Sequence, residues 1–239
     1  EHLKDIVNGI RYMNFAEFAV TKPNKVKVLE YLDELDPLCE KMGSSNTVVK
    51  TPEGKLIGYN TDGSGFYRSL LEEGDVKPDQ CVFFCFGGGG AGRAMCSVLA
   101  YHGARKIYIT DKFEQCAKEL VDDINKNFAP VAEFVPYGDY SKIAACDVVL
   151  NASGIGMGKT IGQTPVSKEY LGKGQLCFDA CYNPARTQFL MDAEEKGCKV
   201  LNGLGMSLYQ GAAQIELWTG KKAPVERMRA ELMDILAGK

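Results

Sequence analysis

The sequence predicts an α/β protein: a Rossmann doubly wound parallel sheet, preceded by a smaller α/β unit. Three observations carry that expectation. From Val76 to Gly203, apolar runs of strand length alternate with helical patterns, which implies a parallel sheet covered on both faces. One run, Val82–Phe86, ends in four consecutive glycines and passes at once into helix-forming sequence. The stretch before Asp62 reads instead as short apolar runs, loops and a hairpin.

Strands are expected at Gln80–Phe86, Lys106–Thr110, Glu133–Pro136, Asp147–Asn151, Leu176–Ala180 and Lys199–Leu201. Helices are expected at Ala91–Tyr101, Glu114–Asn127, Ser141–Ala144 and Thr187–Lys196. Right-handed crossovers would then place a ligand crevice at the C-terminal ends of the strands. In the leading unit, Phe15–Val20 is a short apolar run and Thr21–Lys25 a loop. Val26–Met42 carries helical spacing up to Gly43, and Thr47–Lys50 and Lys55–Tyr59 flank a Thr-Pro-Glu-Gly turn in a hairpin. Ser207–Lys239 reads as two helices broken around Gly220–Pro224. The expected division is 1–62, 63–203 and 204–239, the last segment returning to the first.

Hydrophobic content of 45%, charged content of 25% and a net charge of −3 are those of an ordinary globular chain. They give no electrostatic reason to expect nucleic acid or an anionic membrane as partner. No apolar run approaches the ~20 residues that cross a bilayer. The nine cysteines include no Cys-x-x-Cys pair and only two histidines could join them. They read as buried, reduced thiols of a cytoplasmic protein, with no metal site. Cys181, beside a candidate substrate loop, is read as packing rather than as a nucleophile.

Gly87, Gly89 and Gly92 fit G-x-G-x-x-G between a strand and a helix. Gly87 would make the tight turn, Gly89 would let a pyrophosphate approach the backbone, and Gly92 would let the helix pack close to its strand. Asp111 ends the next apolar run, where a ribose 2′-hydroxyl would sit. Hydride transfer to a carbonyl also needs a group that supplies a proton. His2 and His102 are poorly placed for it. A lysine with a nearby carboxylate is the natural substitute, because burial lowers a lysine's pKa while the carboxylate orients it. Lys25 and Asp62 fit those parts, although spacing alone does not show that they meet; a solvated lysine and an Asx-turn aspartate is the competing reading.

Several strings carry a family resemblance. They are Val20-Thr21-x-Pro23-x-Lys25, Ser45-Asn46-Thr47-Val48-Val49, Gly58-x-Asn60-Thr61-Asp62-Gly63-x-Gly65-Phe66 and Gly87–Ala94. Further on come Asn151-Ala152-Ser153-x-x-Gly156-Met157, Asp179-x-x-Tyr182-Asn183-Pro184-x-x-Thr187-x-x-Leu190 and Gly203-x-Gly205-Met206-x-x-x-Gln210-Gly211-Ala212. In this order they resemble the shikimate dehydrogenase family. The resemblance implies a reversible, NAD(P)-dependent conversion of 3-dehydroshikimate to shikimate, with Lys25 and Asp62 as the catalytic pair. It implies substrate contacts from Thr21, Asn46, Thr61, Tyr182 and Gln210. Cofactor contacts would come from Gly87, Gly88, Gly89, Gly90, Ala91, Gly92, Arg93, Asp111, Lys112, Asn151, Ala152, Ser153, Gly203 and Met206.

Two departures from the family pattern stand out. Its opening strand and Ser-x-Ser carboxylate motif are absent from this sequence, so the substrate unit is expected to be N-terminally incomplete. The family's Asn before Val-Thr is Ala19, and a nearby Gly is Glu17. Asp111-Lys112 replaces the Asn-Arg pair of NADP-preferring members, and a carboxylate there repels a 2′-phosphate. NAD is therefore expected ahead of NADP. The expected partner is a small cyclic hydroxy acid, and the protein a monomer or homodimer. Quinate is the alternative substrate, and a catalytically inactive dinucleotide-binding sensor or partner-binding module is the alternative of another class.

Overall fold

The computed structural model describes residues 2–236. The leading unit opens with helix α1 (Leu3–Tyr12), which sequence reading leaves unassigned. It continues through β1 (Glu17–Ala19), β2 (Glu34–Leu35), α2 (Pro37–Met42), β3 (Thr47–Lys50) and β4 (Leu56–Tyr59). The four strands form one sheet in the order β1-β3-β4-β2, with β2 parallel to β4 and the other pairs antiparallel. The expected β3–β4 hairpin is present in register Thr47↔Tyr59 to Lys50↔Leu56. Val7, Val20, Val28, Val48 and Leu56 fill the space between this sheet and the elements over it.

The helix expected over Val26–Met42 is corrected. Its first part is a single 3-10 turn, Lys27–Tyr31, after which the chain extends to pair β2 with β4. Asp33 secures the extension: its backbone N–H donates to Leu56 O at 2.9 Å, and its carboxylate accepts from Leu56 N at 2.7 Å. A new helix, α2, then starts at Asp36-Pro37. Proline disfavours a helical conformation in the residue before it, and the Asp36 carboxylate caps Leu38 N and Cys39 N. Gly43 ends α2 at φ 64°.

Helix α3 (Thr61–Ser69) follows β4 directly and leads to the second sheet. That sheet is built from β5 (Val82–Phe86), β6 (Lys106–Thr110), β7 (Ala132–Phe134), β8 (Val148–Asn151), β9 (Leu176–Asp179) and β10 (Lys199–Asn202). Its order is β10-β9-β8-β5-β6-β7 and every pairing is parallel. This is the Rossmann order, reversing direction between β5 and β8. The helices are α4 (Gly90–Tyr101), α5 (Glu114–Asn127) and α6 (Gln188–Glu195). The pattern over 141–144 yields only a 3-10 turn, Ile143–Ala145.

Alternation along β5 explains the two-sided core. Phe83 and Cys85 join α4 and α5 on one face, while Phe84 and Phe86 join α6 on the other. Two final helices, α7 (Leu204–Thr219) and α8 (Val225–Leu236), close the described chain; Ala237–Lys239 and Glu1 lie outside the described residues. Helix α7 runs along α3 and reaches the first sheet, where Gln214 Nε2 donates to Thr47 Oγ1 at 2.9 Å. Between them α3 and α7 join the two sheets. Gly65 makes that possible: a Cβ there would lie 2.6 Å from Gln210 N and 2.7 Å from Met206 O.

Candidate active site

Three segments cross at the end of the first sheet. Val20, just after β1, donates its N–H to Asn46 O at 2.8 Å, and Asn46, just before β3, donates its own to Tyr59 O at 3.1 Å. Asn60 caps α3 by accepting from Gly63 N, and its amide donates to Ser44 O and Ser44 Oγ, each at 3.0 Å. Asp62 therefore stands in the first turn of α3, where the helix N-terminus favours a carboxylate. Lys25 stands on the turn after β1, its carbonyl accepting from Ser45 N at 2.8 Å. The two side chains meet: Lys25 Nζ donates to Asp62 Oδ2 at 2.7 Å, each about a quarter exposed (26% and 24%). The primary sequence separates them by 37 residues.

Asn46 locks this arrangement. Its Nδ2 donates to Thr61 Oγ1 at 2.9 Å and to Asp62 Oδ1 at 3.0 Å, and its Oδ1 accepts from Thr61 N at 2.7 Å and Thr47 Oγ1 at 2.9 Å. It is 3% exposed. In this structure the Asn46 amide hydrogens are both engaged, holding Asp62 and Thr61. Thr61, 2% exposed and likewise engaged, belongs to the same buried knot.

Lys25, Asp62, Lys22, Ser44 and Asn60 line one wall of a cleft of about 400 Å³, and Gly90, Ala91, Arg93 and Met206 line the other. Thr21, Tyr182 and Gln210 are not among its lining residues. Thr21 is exposed at the start of the turn, Tyr182 is 40% exposed on the loop after β9, and Gln210 lies on α7 against Gly65. His102 lies elsewhere, stacked on Tyr67 with ring centroids 3.6 Å apart, and burial holds its imidazole below its ordinary pKa.

A second cavity, of about 240 Å³, opens on the other side of the glycine turn. Phe86, Gly87, Gly89, Thr110, Asp111, Lys112, Ala152 and Ser153 contribute to it, together with Phe113 and Tyr137. Sequence reading missed the last two; Phe113 is 71% exposed and offers a flat apolar surface at the rim. Asp111 Oδ2 accepts from Gly88 N and Oδ1 from Phe113 N, both at 2.8 Å.

The turn is shaped for an anionic group. Gly87 has φ +107°, closed to most side chains. A Cβ on Gly92 would lie 1.8 Å from Gly87 O, so only glycine lets α4 start this close to β5. At Gly89 nothing lies within 4 Å, leaving a cradle that a side chain would fill. Thr110 Oγ1, at the edge of the second cavity, is buried with no hydrogen-bond partner. An open cradle at a helix N-terminus, an unpaired hydroxyl and a fixed carboxylate fit a dinucleotide.

Three of the expected cofactor residues are buried. Asn151 is fully buried; its amide donates to Ile155 O and Asp179 Oδ1, and its carbonyl accepts from Ser153, so it orders the loop rather than facing the cavity. Gly203 is buried, and a Cβ there would sit 2.1 Å from Ala180 O, so its small size serves packing. Gly88 is buried against Cys116 O and shapes the turn from behind. Cys181 is buried and its thiol is pushed up to about 12 by burial, the state of a packing thiol. All nine cysteines are free; Cys116, expected to be buried, is exposed. Among the described residues no cluster of His, Cys, Asp and Glu could hold a metal, and no helix is long and apolar enough to cross a membrane.

Fold and site together define a Rossmann-type α/β protein whose glycine turn faces a lysine–carboxylate pair across a cleft. A profile described as the shikimate dehydrogenase substrate binding domain matches residues 1–48, and one described as the shikimate 5'-dehydrogenase C-terminal domain matches 203–233. The shikimate dehydrogenase (NADP(+)) of Desulforamulus reducens is 41% identical over 233 residues, 96% of this chain and 80% of that protein. The Listeria monocytogenes shikimate 5-dehydrogenase in complex with shikimate and NAD superposes with a TM-score of 0.91 at 36% identity, over 97% of this chain and 82% of that one. The quinate dehydrogenase of Corynebacterium glutamicum in complex with NAD gives 0.90 at 33% identity, over the same shares. The chain belongs to the shikimate dehydrogenase family.

Proposed function

We propose that this chain is an oxidoreductase that interconverts 3-dehydroshikimate and shikimate with a nicotinamide dinucleotide. The observation that carries the reading is the 2.7 Å contact of Lys25 Nζ with Asp62 Oδ2 on the cleft wall facing the glycine turn. The dinucleotide, when bound, supplies or accepts the hydride. Lys25 supplies the proton: its ammonium protonates the alkoxide oxygen that forms as the ketone is reduced, and as a neutral amine it takes the hydroxyl proton in the reverse direction. Asp62 orients the ammonium and offers an acceptor to a ring hydroxyl, while Asn46 and Thr61 keep that carboxylate in place. Ser44 and Asn60, which line the cleft, add polar groups suited to a hydroxylated acid.

The second cavity supports NAD as the preferred dinucleotide. The Asp111 carboxylate, fixed by Gly88 N and Phe113 N, would accept from a free ribose diol and oppose a 2′-phosphate. Lys112, exposed on the same rim, softens that opposition. Residues 1–62 with the C-terminal helices would form the substrate unit and 63–203 the dinucleotide unit, although the cut at Asp62 falls within the first turn of α3. A cytoplasmic monomer or homodimer fits this reading.

The test is initial-rate kinetics with shikimate and with quinate, each against NAD and NADP, on the wild type and Lys25→Ala. A kcat for shikimate lowered about a hundredfold or more by Lys25→Ala supports the assignment, and a kcat/KM higher for quinate transfers it to that acid. Replacing Asp111 and Lys112 by Asn and Arg should move the dinucleotide preference toward NADP. An unchanged preference refutes the part given to Asp111. Dinucleotide binding by calorimetry with turnover of neither acid would point to the inactive sensor.

A further inference from the structure

We propose that Lys22 anchors the dinucleotide, its ammonium engaging the pyrophosphate from across the cleft. The inference rests on the dinucleotide reading above. Lys22 sits on the turn between β1 and Lys25, in the first sheet's unit, yet its side chain reaches the second. Its Cε and Nζ lie 3.4 and 3.5 Å from the place a Cβ on Gly90 would take. Gly90 opens α4, the helix whose first N–H groups face the glycine cradle.

Charge bookkeeping singles this side chain out. Three cations line the cleft: Lys22, Lys25 and Arg93. Lys25 is paired with Asp62, and Arg93 with Asp123 on α5. Among the described residues Lys22 has no hydrogen-bond or ion-pair partner. A compact ammonium on a flexible stem suits a phosphate as a point charge. Its position over Gly90 sets it at the phosphate end of the cleft. The buried Asn46–Thr61 knot, beside which the ring hydroxyls would lie, belongs to other segments. Because Lys22 belongs to one unit and the glycine turn to the other, the contact would also hold the two walls together when the dinucleotide is bound.

Calorimetric titration with NADH and with ADP-ribose, which keeps the pyrophosphate but lacks nicotinamide, tests this without turnover. Lys22→Ala should bind both about tenfold more weakly, equivalent to about 1.4 kcal/mol, while Lys22→Arg retains most of the affinity. The gap between wild type and Lys22→Ala should narrow as salt is raised toward about 1 M. Lys22 is exposed, and a thermal melt confirms that the variants fold. Wild-type protein that binds neither probe would sink the dinucleotide reading itself. Wild-type binding with Lys22→Ala within twofold of it overturns the anchoring role alone. So does a variant whose KM rises for shikimate while its dinucleotide affinity stays unchanged, since that outcome hands Lys22 to the acid.

Discussion

Replacing Lys25 by alanine should separate activity from stability by several orders of magnitude. The Lys25–Asp62 pair is about a quarter exposed, so its contribution to folding is that of a partly solvated ion pair, about 1 kcal/mol at most. Without Lys25, Asp62 keeps its 3.0 Å bond from Asn46 Nδ2 and its place in the first turn of α3, both of which suit a carboxylate. The fold and the dinucleotide cradle, built from other residues, should persist. Proton delivery is lost, and a positioned general acid is worth roughly 10²–10⁴-fold, or about 2.7–5.4 kcal/mol of barrier. Initial rates at saturating shikimate and dinucleotide, with a calorimetric titration of NADH beside them, read the two effects apart. The expected outcome is a kcat lower by that factor with NADH affinity within twofold of wild type. Lys25→Arg should fail to restore the rate, because a guanidinium does not release its proton in this range. A Lys25→Ala enzyme within tenfold of wild-type kcat would refute the assignment.

Gly65→Ala should destabilise the protein by about 1–3 kcal/mol or more, since its methyl would strike the α7 backbone at 2.6 and 2.7 Å and force two helices apart; a melting temperature equal to wild type would contradict that. Gly92→Ala should weaken dinucleotide binding more than any exposed substitution on α4, because the methyl would lie 1.8 Å from Gly87 O and displace the turn; calorimetry with NADH reads it. Asp179 is fully buried, and burial pushes its carboxyl above the ordinary 3.8 against the hydrogen bonds from Thr187, Cys181 and Asn151. The folded state thus holds that proton more tightly than the unfolded chain, so the group's stabilising contribution is complete below about pH 3.8 and is lost as pH rises through the folded pKa. The urea midpoint of the wild type relative to Asp179→Asn should therefore fall with rising pH above about 4, and a rise over that span would reverse the sign assigned here.

Much of the second sheet was legible because its signals are local. Val82–Phe86 is long and apolar, the glycines follow at motif spacing, and Phe83 and Phe84 go to opposite faces as a strand requires. The leading unit was harder to read. Leucines and valines between Val26 and Met42 mimic a helical stripe, and only Asp36-Pro37 marks the restart; β2 exists because Leu56 supplies partners from 23 residues away. Helix α3 is not among the helices read from the sequence, and it carries Gly63 and Gly65. Both are there for close packing, Gly63 against α4 and Gly65 against α7, an interaction between elements that no local pattern announces. At the site, the resemblance named Lys25 and Asp62, and the coordinates bring them together. It also named Asn46 for the substrate and Asn151 and Gly203 for the cofactor, and the fold adds that all three are buried, Asn46 and Asn151 in hydrogen-bond networks. Motif spacing identifies such residues without telling a surface contact from the buried brace behind it. Phe113 and Tyr137 carried no motif, and only the folded rim reveals them.

The saturated amide of Asn46 limits where this scaffold can change. With its donors and acceptor already committed to Thr47, Thr61 and Asp62, substitution there would loosen the acid–base pair along with everything tied to it. A shift from one cyclic acid to another is therefore easiest to accommodate at the outer lip, among side chains such as Ser44 and Val26. There, diversification can proceed while the interior that governs proton transfer stays intact.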